Sequence, residues 1–384
     1  MAQRKINMGM VGGGPGSFIG HVHYMAAVMD GQIELVCGAF SSKPEKSRET
    51  GKKYYLPPSR VYDNYVQMIE EEARLPEGIR MDFLCITTPN HLHFEPAKLA
   101  MENGFHVICD KPLALDADEA EVLTRIKEET GRMFFVTHTY AGYPMVKEAR
   151  AIVEKGELGP IRKVVVEYPQ GWLSTPLEQG SDNVQAAWRA DPERAGKSCC
   201  VGDIGTHAFH LAEFVSGLRV EELYADLGIM VPRRLLDDDA NMLLHFQGGA
   251  RGVLYASQIS AGEENAVKLR IYGEKGGLEF NQMEPNSLIL RWLDKPIEIR
   301  RTGTAFVGTM ARYNTRVPAG HPEGYLEAFA NLYRNAATCM QAELEGTEPP
   351  VEATDNPDIY DGLRGMKFID KAVESSATRQ WVRL

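Results

Sequence analysis

The most constraining feature is a short apolar run, residues 6–11, that breaks into Gly12-Gly13-Gly14-Pro15-Gly16-Ser17-Phe18-Ile19-Gly20 and is followed by a helical segment at 21–29. A strand, a glycine turn and a helix in that order place backbone N–H groups and a helix N-terminus around a dinucleotide phosphate. Gly12 and Gly14 supply the first two glycines of such a turn. Ser17 stands where the third belongs, so an insertion of three residues hands that role to Gly20. Alternation continues downstream, with strands at 33–40, 82–87, 106–109 and 133–137 and helices around 65–73, 96–103 and 117–130, the last capped by Asp116. Such alternation makes a parallel sheet whose ligands sit at the carboxyl ends of the strands.

Those ends carry Thr88-Pro89-Asn90 with His93, Asp110-Lys111-Pro112, and His138-Thr139-Tyr140. A charged Lys111 directly after a buried strand is poorly placed to be merely solvated. The end of the second strand normally carries an acid for the adenosine ribose. Here it carries Ser41, Ser42 and Lys43, with no acid before Glu45. Such a loop tolerates a 2′-phosphate, so both NAD and NADP are expected with NADP favoured. Alternatively Lys43 points into water and the serines bond a plain ribose.

After Gly159 the texture changes to strands at 163–168, 220–228, 240–246, 250–257 and 267–272, with a hairpin at Gln247-Gly248-Gly249 and late helices at 324–339 and 356–375. This predicts α/β followed by α+β: a Rossmann parallel sheet over 1–140, then a domain over 141–384 with a large, mostly antiparallel sheet. Between its first two strands lies Gly202-Asp203-Ile204-Gly205-Thr206-His207, opening an amphipathic run that ends near Gly217. A carboxylate and an imidazole four residues apart share a helix face. They suit a base with an orienting acid, and equally an Asp N-cap with an interior His. Gln170 and Trp172 follow the 163–168 strand, offering an amide and a stacking face for a sugar, although ordinary packing also accounts for the Trp.

The net charge of −11 argues against nucleic acid or an anionic membrane as partner, and the longest apolar runs fall short of a membrane span. Six scattered cysteines read as reduced thiols in a cytoplasmic protein. Five residues ahead of the first strand leave no room for a signal peptide.

Taken together, the glycine turn with its following His23, Thr88-Pro89-Asn90-His91-Leu92-His93, Asp110-Lys111-Pro112, Trp188-Arg189, Gly202-Asp203-Ile204-Gly205-Thr206-His207 and Gly273-Glu274-Lys275-Gly276-Gly277 resemble the glucose–fructose oxidoreductase, inositol dehydrogenase and rhizopine catabolism family over essentially the full length. The resemblance implies NAD(P)-dependent oxidation of a secondary hydroxyl on a sugar, glycoside or cyclitol. It implies catalytic roles for Lys111, Asp203 and His207, and a homodimer or homotetramer formed through the C-terminal sheet. Gly12, Gly14, Gly16, Gly20, Ser41, Ser42, Lys43, Thr88, Pro89, Asn90, His93, Asp110 and Lys111 are expected on the cofactor. Lys111, Tyr140, Gln170, Trp172, Trp188, Arg189, Asp203, His207 and, at the rim, His321 with Tyr325 are expected around the substrate. Three departures stand out: Asp110 replaces the usual Glu, the glycine turn carries the three-residue insertion, and 138–144 lacks the basic residue often found there, which disfavours an acidic substrate. No metal is expected, because His207 with His210, or His91 with His93, is a ligand pattern of low specificity. The competing readings are a non-enzymatic dinucleotide-binding regulator and a metal-dependent isomerase or hydrolase.

Overall fold

A computed structural model describes residues 4–180 and 183–384. Of the five residues preceding the first strand, 1–3 therefore lie outside the described residues. The chain divides into two units, Met1–Thr137 with Phe329–Leu363, and His138–Ala328 with Arg364–Leu384. The first break comes three residues ahead of the expected 140/141. The return of Phe329–Leu363 to the first unit has no counterpart in a single cut. Periodicity shows helices in that stretch but not which sheet they cover.

The first unit holds a five-stranded parallel sheet of β1 (Ile6–Gly12), β2 (Ile33–Ala39), β3 (Phe83–Thr87), β4 (His106–Cys109) and β5 (Phe134–Val136), in the order β2-β1-β3-β4-β5. Strands β1 and β3 are buried almost throughout, as expected when helices cover both faces. The order reverses between β1 and β3, where Gly12 pairs with Thr87. The glycine loop and Thr88-Pro89 therefore leave the sheet side by side, at the position where open α/β sheets bind ligands. The first helix starts at Phe18, earlier than expected, because Ser17 is its N-cap and accepts the Gly20 N–H at 3.2 Å. Asp116 caps Ala117–Thr130 as expected, accepting Glu119 N–H at 2.9 Å.

The second unit is built on nine strands, β6 (Ile161–Pro169), β7 (Val220–Gly228), β8 (Asp239–Phe246), β9 (Arg251–Ser257), β10 (Lys268–Gly273), β11 (Gly276–Asn281), β12 (Ser287–Trp292), β13 (Glu298–Arg301) and β14 (Val382–Arg383). Their order is β13-β12-β11-β10-β6-β9-β8-β7-β14, antiparallel except between β6 and β9. Helices Pro144–Glu154 and Thr206–Ser216 pack on one face. On the other, a register row runs Leu243, Val253, Val165, Arg270, Glu279, Ile289, Ile299. None of these seven side chains is buried. All six cysteines are buried free thiols.

Candidate functional site

In the first unit the expected cofactor residues converge on the strand ends. Gly12, Gly13 and Gly16 adopt φ of +88°, +77° and +85°, the left-handed region that side chains avoid. A Cβ on Gly20 would lie 2.3 Å from Gly13 Cα, and one on Gly14 would lie 2.7 Å from the Phe40 carbonyl oxygen. Gly20 thus provides the close approach of helix to loop that the displaced third glycine requires. The loop can fold back tightly over a helix N-terminus, and these backbone features fit a dinucleotide phosphate. Past β2, Phe40 is buried while Ser42 and Lys43 are exposed, and Lys43 N–H donates to Ser41 Oγ at 3.2 Å.

His93 is held differently from a residue that reaches a ligand directly. It is buried, with Nδ1 2.8 Å from the Pro112 carbonyl and Nε2 2.8 Å from the Thr88 carbonyl. Burial keeps its pKa below the ordinary imidazole value. The neutral ring therefore donates to one of these carbonyls at a time and ties the Thr88 loop to the Asp110-Lys111-Pro112 turn. Asp110 Oδ1 accepts the Lys111 backbone N–H at 3.0 Å and the Thr137 hydroxyl at 2.7 Å. Burial works against its charge, but His23 and Lys111 outweigh that and hold the carboxyl well below the usual range.

In the second unit Asp203 does not cap the helix. It lies in a wide π-helical turn, Val201–Gly205, that runs into Thr206–Ser216, and its N–H donates to Cys199 O at 2.8 Å. The turn is anchored by the buried Asp237, which accepts Cys199 N–H and Val201 N–H at 3.0 Å and the Ser198 hydroxyl at 2.9 Å. Asp203 Oδ2 receives Arg189 Nε at 3.0 Å and Gln258 Nε2 at 2.9 Å. Arg189 in turn stacks over Trp188, at 4.2 Å, and over Trp172, at 5.7 Å. A Cβ on Gly202 would meet nothing within 4 Å, so this side of the turn stays open.

A chain of contacts links Trp172 to His207. Trp172 Nε1 donates to Gln170 Oε1 at 3.0 Å, Gln170 Nε2 to Asn265 Oδ1 at 2.5 Å, and Asn265 Nδ2 to Tyr140 Oη at 3.0 Å. Tyr140 and Tyr168 share a very short phenol–phenol hydrogen bond. Burial above all raises both phenols far above their ordinary value, so they stay neutral. The Tyr140 ring meets His207 edge-on at 4.9 Å. His138 also meets His207 edge-on, at 5.7 Å, and stacks flat on His210 at 4.1 Å.

Sequence reasoning thus named Tyr140, Gln170, Trp172, Trp188, Arg189, Asp203 and His207, and the fold joins them through these contacts. His321 does not join them. It is exposed and faces the Pro318 carbonyl at 3.1 Å, held by its own loop. Tyr325, by contrast, lies within electrostatic reach of Tyr168. Tyr168, Asn265, Gln258 and Asp237 were missed. Only Asp237 carried a signal: Asp237-Asp238-Asp239 abuts a strand, yet its first two members are buried.

Profiles for the oxidoreductase family with an NAD-binding Rossmann fold and for the GFO/IDH/MocA C-terminal domain match residues 6–138 and 146–279. This chain belongs to the GFO/IDH/MocA oxidoreductase family. An oxidoreductase of Bacillus subtilis (strain 168), YfiI, is 32% identical over 378 residues, 97% of this chain and 95% of that one. A crystal structure of an inositol dehydrogenase homolog from Azotobacter vinelandii complexed with NAD+ superposes with a TM-score of 0.93 at 35% identity, covering 99% of this chain and 98% of the other. The same homolog with NADH and myo-inositol gives 0.91 at 34% identity, with the same coverage. The levoglucosan dehydrogenase of Pseudarthrobacter phenanthrenivorans (strain DSM 18606 / JCM 16027 / LMG 23796 / Sphe3) is 25% identical over 415 residues, 99% of this chain and 98% of that one. The chain is therefore an NAD-binding oxidoreductase. No helix among the described residues is long and apolar enough to cross a membrane.

Proposed function

We propose that this oxidoreductase oxidises a secondary alcohol of an uncharged sugar, glycoside or cyclitol to a ketone, the C–H of the carbinol carbon giving the hydride and its hydroxyl the proton. The bound nicotinamide supplies the hydride acceptor. His207 takes the hydroxyl proton, and Lys111 places its ammonium at the same oxygen, where negative charge develops. Asp203 accepts a hydrogen bond from a neighbouring hydroxyl. The observation that carries this reading is the pinning of Asp203 by Arg189 and Gln258 four residues ahead of His207. Arg189 is spent on that carboxylate and on two Trp rings, so it does not serve as a clamp for an acidic substrate. The myo-inositol and NADH bound by the Azotobacter homolog are consistent with an uncharged polyol.

Lys43 beside Ser41 and Ser42 supports use of NADP as well as NAD, with NADP favoured. The open row of Leu243, Val253, Val165, Ile289 and Ile299, with Arg270 and Glu279 between them, supports a homodimer or homotetramer through the sheet; the buried thiols support a cytoplasmic protein. The test is NAD(P)H absorbance during a screen of inositols, hexoses, glycosides and anhydrosugars, with sugar phosphates and aldonates alongside. One ketone per NAD(P)H from an uncharged polyol is the expected result. Much faster turnover of a phosphate or aldonate refutes it.

A further inference from the structure

One buried polar cluster has no part in the chemistry assigned above. His23, on the helix Phe18–Val28, is fully withdrawn from solvent. Its Nδ1 lies 2.6 Å from Tyr333 Oη. Cys85 Sγ is 3.0 Å from that phenol and 3.5 Å from Nδ1. Phe329 packs edge-on against the ring at 4.7 Å. On the far side of the ring, Nε2 faces Asp110 Oδ1 at 3.8 Å.

A neutral imidazole in such a pocket is an expensive filler, since an apolar ring fills the space without desolvating two nitrogens. The arrangement makes sense when charge is counted. Asp110 is a carboxylate with its side chain 16% exposed, and one oxygen, Oδ1, takes both the Lys111 backbone N–H and the Thr137 hydroxyl. A carboxylate so placed needs an opposite charge nearby. The cations that favour its ionised form are His23 and Lys111. A lysine whose ammonium is committed to a substrate oxygen compensates Asp110 less, which leaves His23. The groups facing the imidazole are Asp110, Cys85 and Tyr333. Burial alone pulls its pKa down, but Cys85 and Asp110 more than reverse this and lift it to about 9.

We propose that His23 is a positioning residue for Lys111: a buried imidazolium that holds the Asp110 carboxylate and, through its oxygen, the backbone of the turn from which the lysine projects. The proposal rests on the role given above to Lys111 and specifies what sets that lysine's direction. His23 reaches neither hydride nor proton. Its influence passes through Asp110 to the Lys111 N–H.

The decisive experiment is a double-mutant cycle between His23→Phe and Lys111→Met, with NAD and the best-oxidised polyol of the screen. In the wild-type background His23→Phe should lower kcat about tenfold or more while the NADH dissociation constant stays within about threefold. In the Lys111→Met background it should lower kcat no further, because the residue it positions is gone. A purely structural role would lower both backgrounds by the same factor, and that result overturns the proposal, as does a wild-type kcat in His23→Phe. Normal turnover by Lys111→Met refutes instead the role given to the lysine. Should His23→Phe fail to fold, His23→Gln enters the same cycle. Nitrogen-15 spectra of histidine-labelled wild-type protein at neutral pH give a second readout. Both ring nitrogens of His23 protonated is the expected result, and a neutral ring overturns the proposal.

Discussion

Replacing Gly20 by alanine tests the reading of the displaced glycine turn. The added Cβ would stand 2.3 Å from Gly13 Cα, a backbone atom with no rotamer to yield. Restoring an ordinary contact requires about 1 Å of displacement of a loop whose neighbours already hold left-handed dihedrals, and overpacking of this kind costs about 1–3 kcal/mol. Where the loop moves to relieve the clash, its N–H groups leave the phosphate, and the cost appears as a rise of about 5- to 150-fold in the NADH dissociation constant. Gly31→Ala is the control. Gly31 also has positive φ, +71°, but its Cβ would meet nothing within 4 Å. It should lose about 1 kcal/mol of stability through backbone strain alone and bind NADH normally. Fluorescence titration with NADH and thermal melts of both variants distinguish the two costs. If Gly20→Ala binds NADH as the wild type does and melts at the same temperature, Gly20 is not the close-approach glycine of this fold.

Lys43→Glu should weaken NADP binding selectively, because it removes a cation and sets a like charge beside the 2′-phosphate. Equal effects on NAD and NADP, or a wild type with strong NAD preference, would overturn the favouring of NADP. His207→Ala and Lys111→Ala should each cut kcat on the order of 10²-fold or more with nucleotide affinity retained, as measured by steady-state kinetics and NADH titration. Near-normal turnover in either refutes its assignment. Acid should destabilise the first unit through His106, whose Nδ1 accepts the Met133 N–H at 3.0 Å and must shed that bond to take a proton there. Burial chiefly, with Arg132 adding to it against the pull of Glu343, holds His106 down at about 4. The unfolded chain then binds the extra proton first, so stability falls as pH drops from about 6.5 to about 4, by up to about 3 kcal/mol. Chemical denaturation across that window, compared with His106→Gln, should show a shallower acid loss in the variant. Identical slopes remove His106 as the cause.

What the sequence made legible follows from where local rules and tertiary structure agree. In the first unit each element carries its own signal. β1 and β3 are continuous apolar runs, Asp116 is a local cap, and the glycines need left-handed dihedrals that few other residues tolerate. The order β2-β1-β3-β4-β5 then places their ends without further information. The second unit is harder because its sheet is covered on one face only and mixes polar and apolar side chains on the other. The strands β11 to β13 lie beyond the last strand expected, at 267–272, and helix Pro144–Glu154 was not expected either.

The site divides along the same line. Asp203 and His207 were visible because a four-residue spacing is a local fact. The wide turn holding Asp203 was not, since it depends on Asp237, 34 positions further along, and on Gln258, 55 positions away. The same holds for Tyr168 and Asn265, whose meeting with Tyr140 is created by strand pairing and a loop. The residues proposed to touch substrate can thus be named from motifs, whereas the side chains that hold them are spread through the fold. Asp237, Gln258 and His23 share one property: each is a buried polar side chain with a defined partner near a motif residue, a pattern that becomes visible only when burial and position are read together.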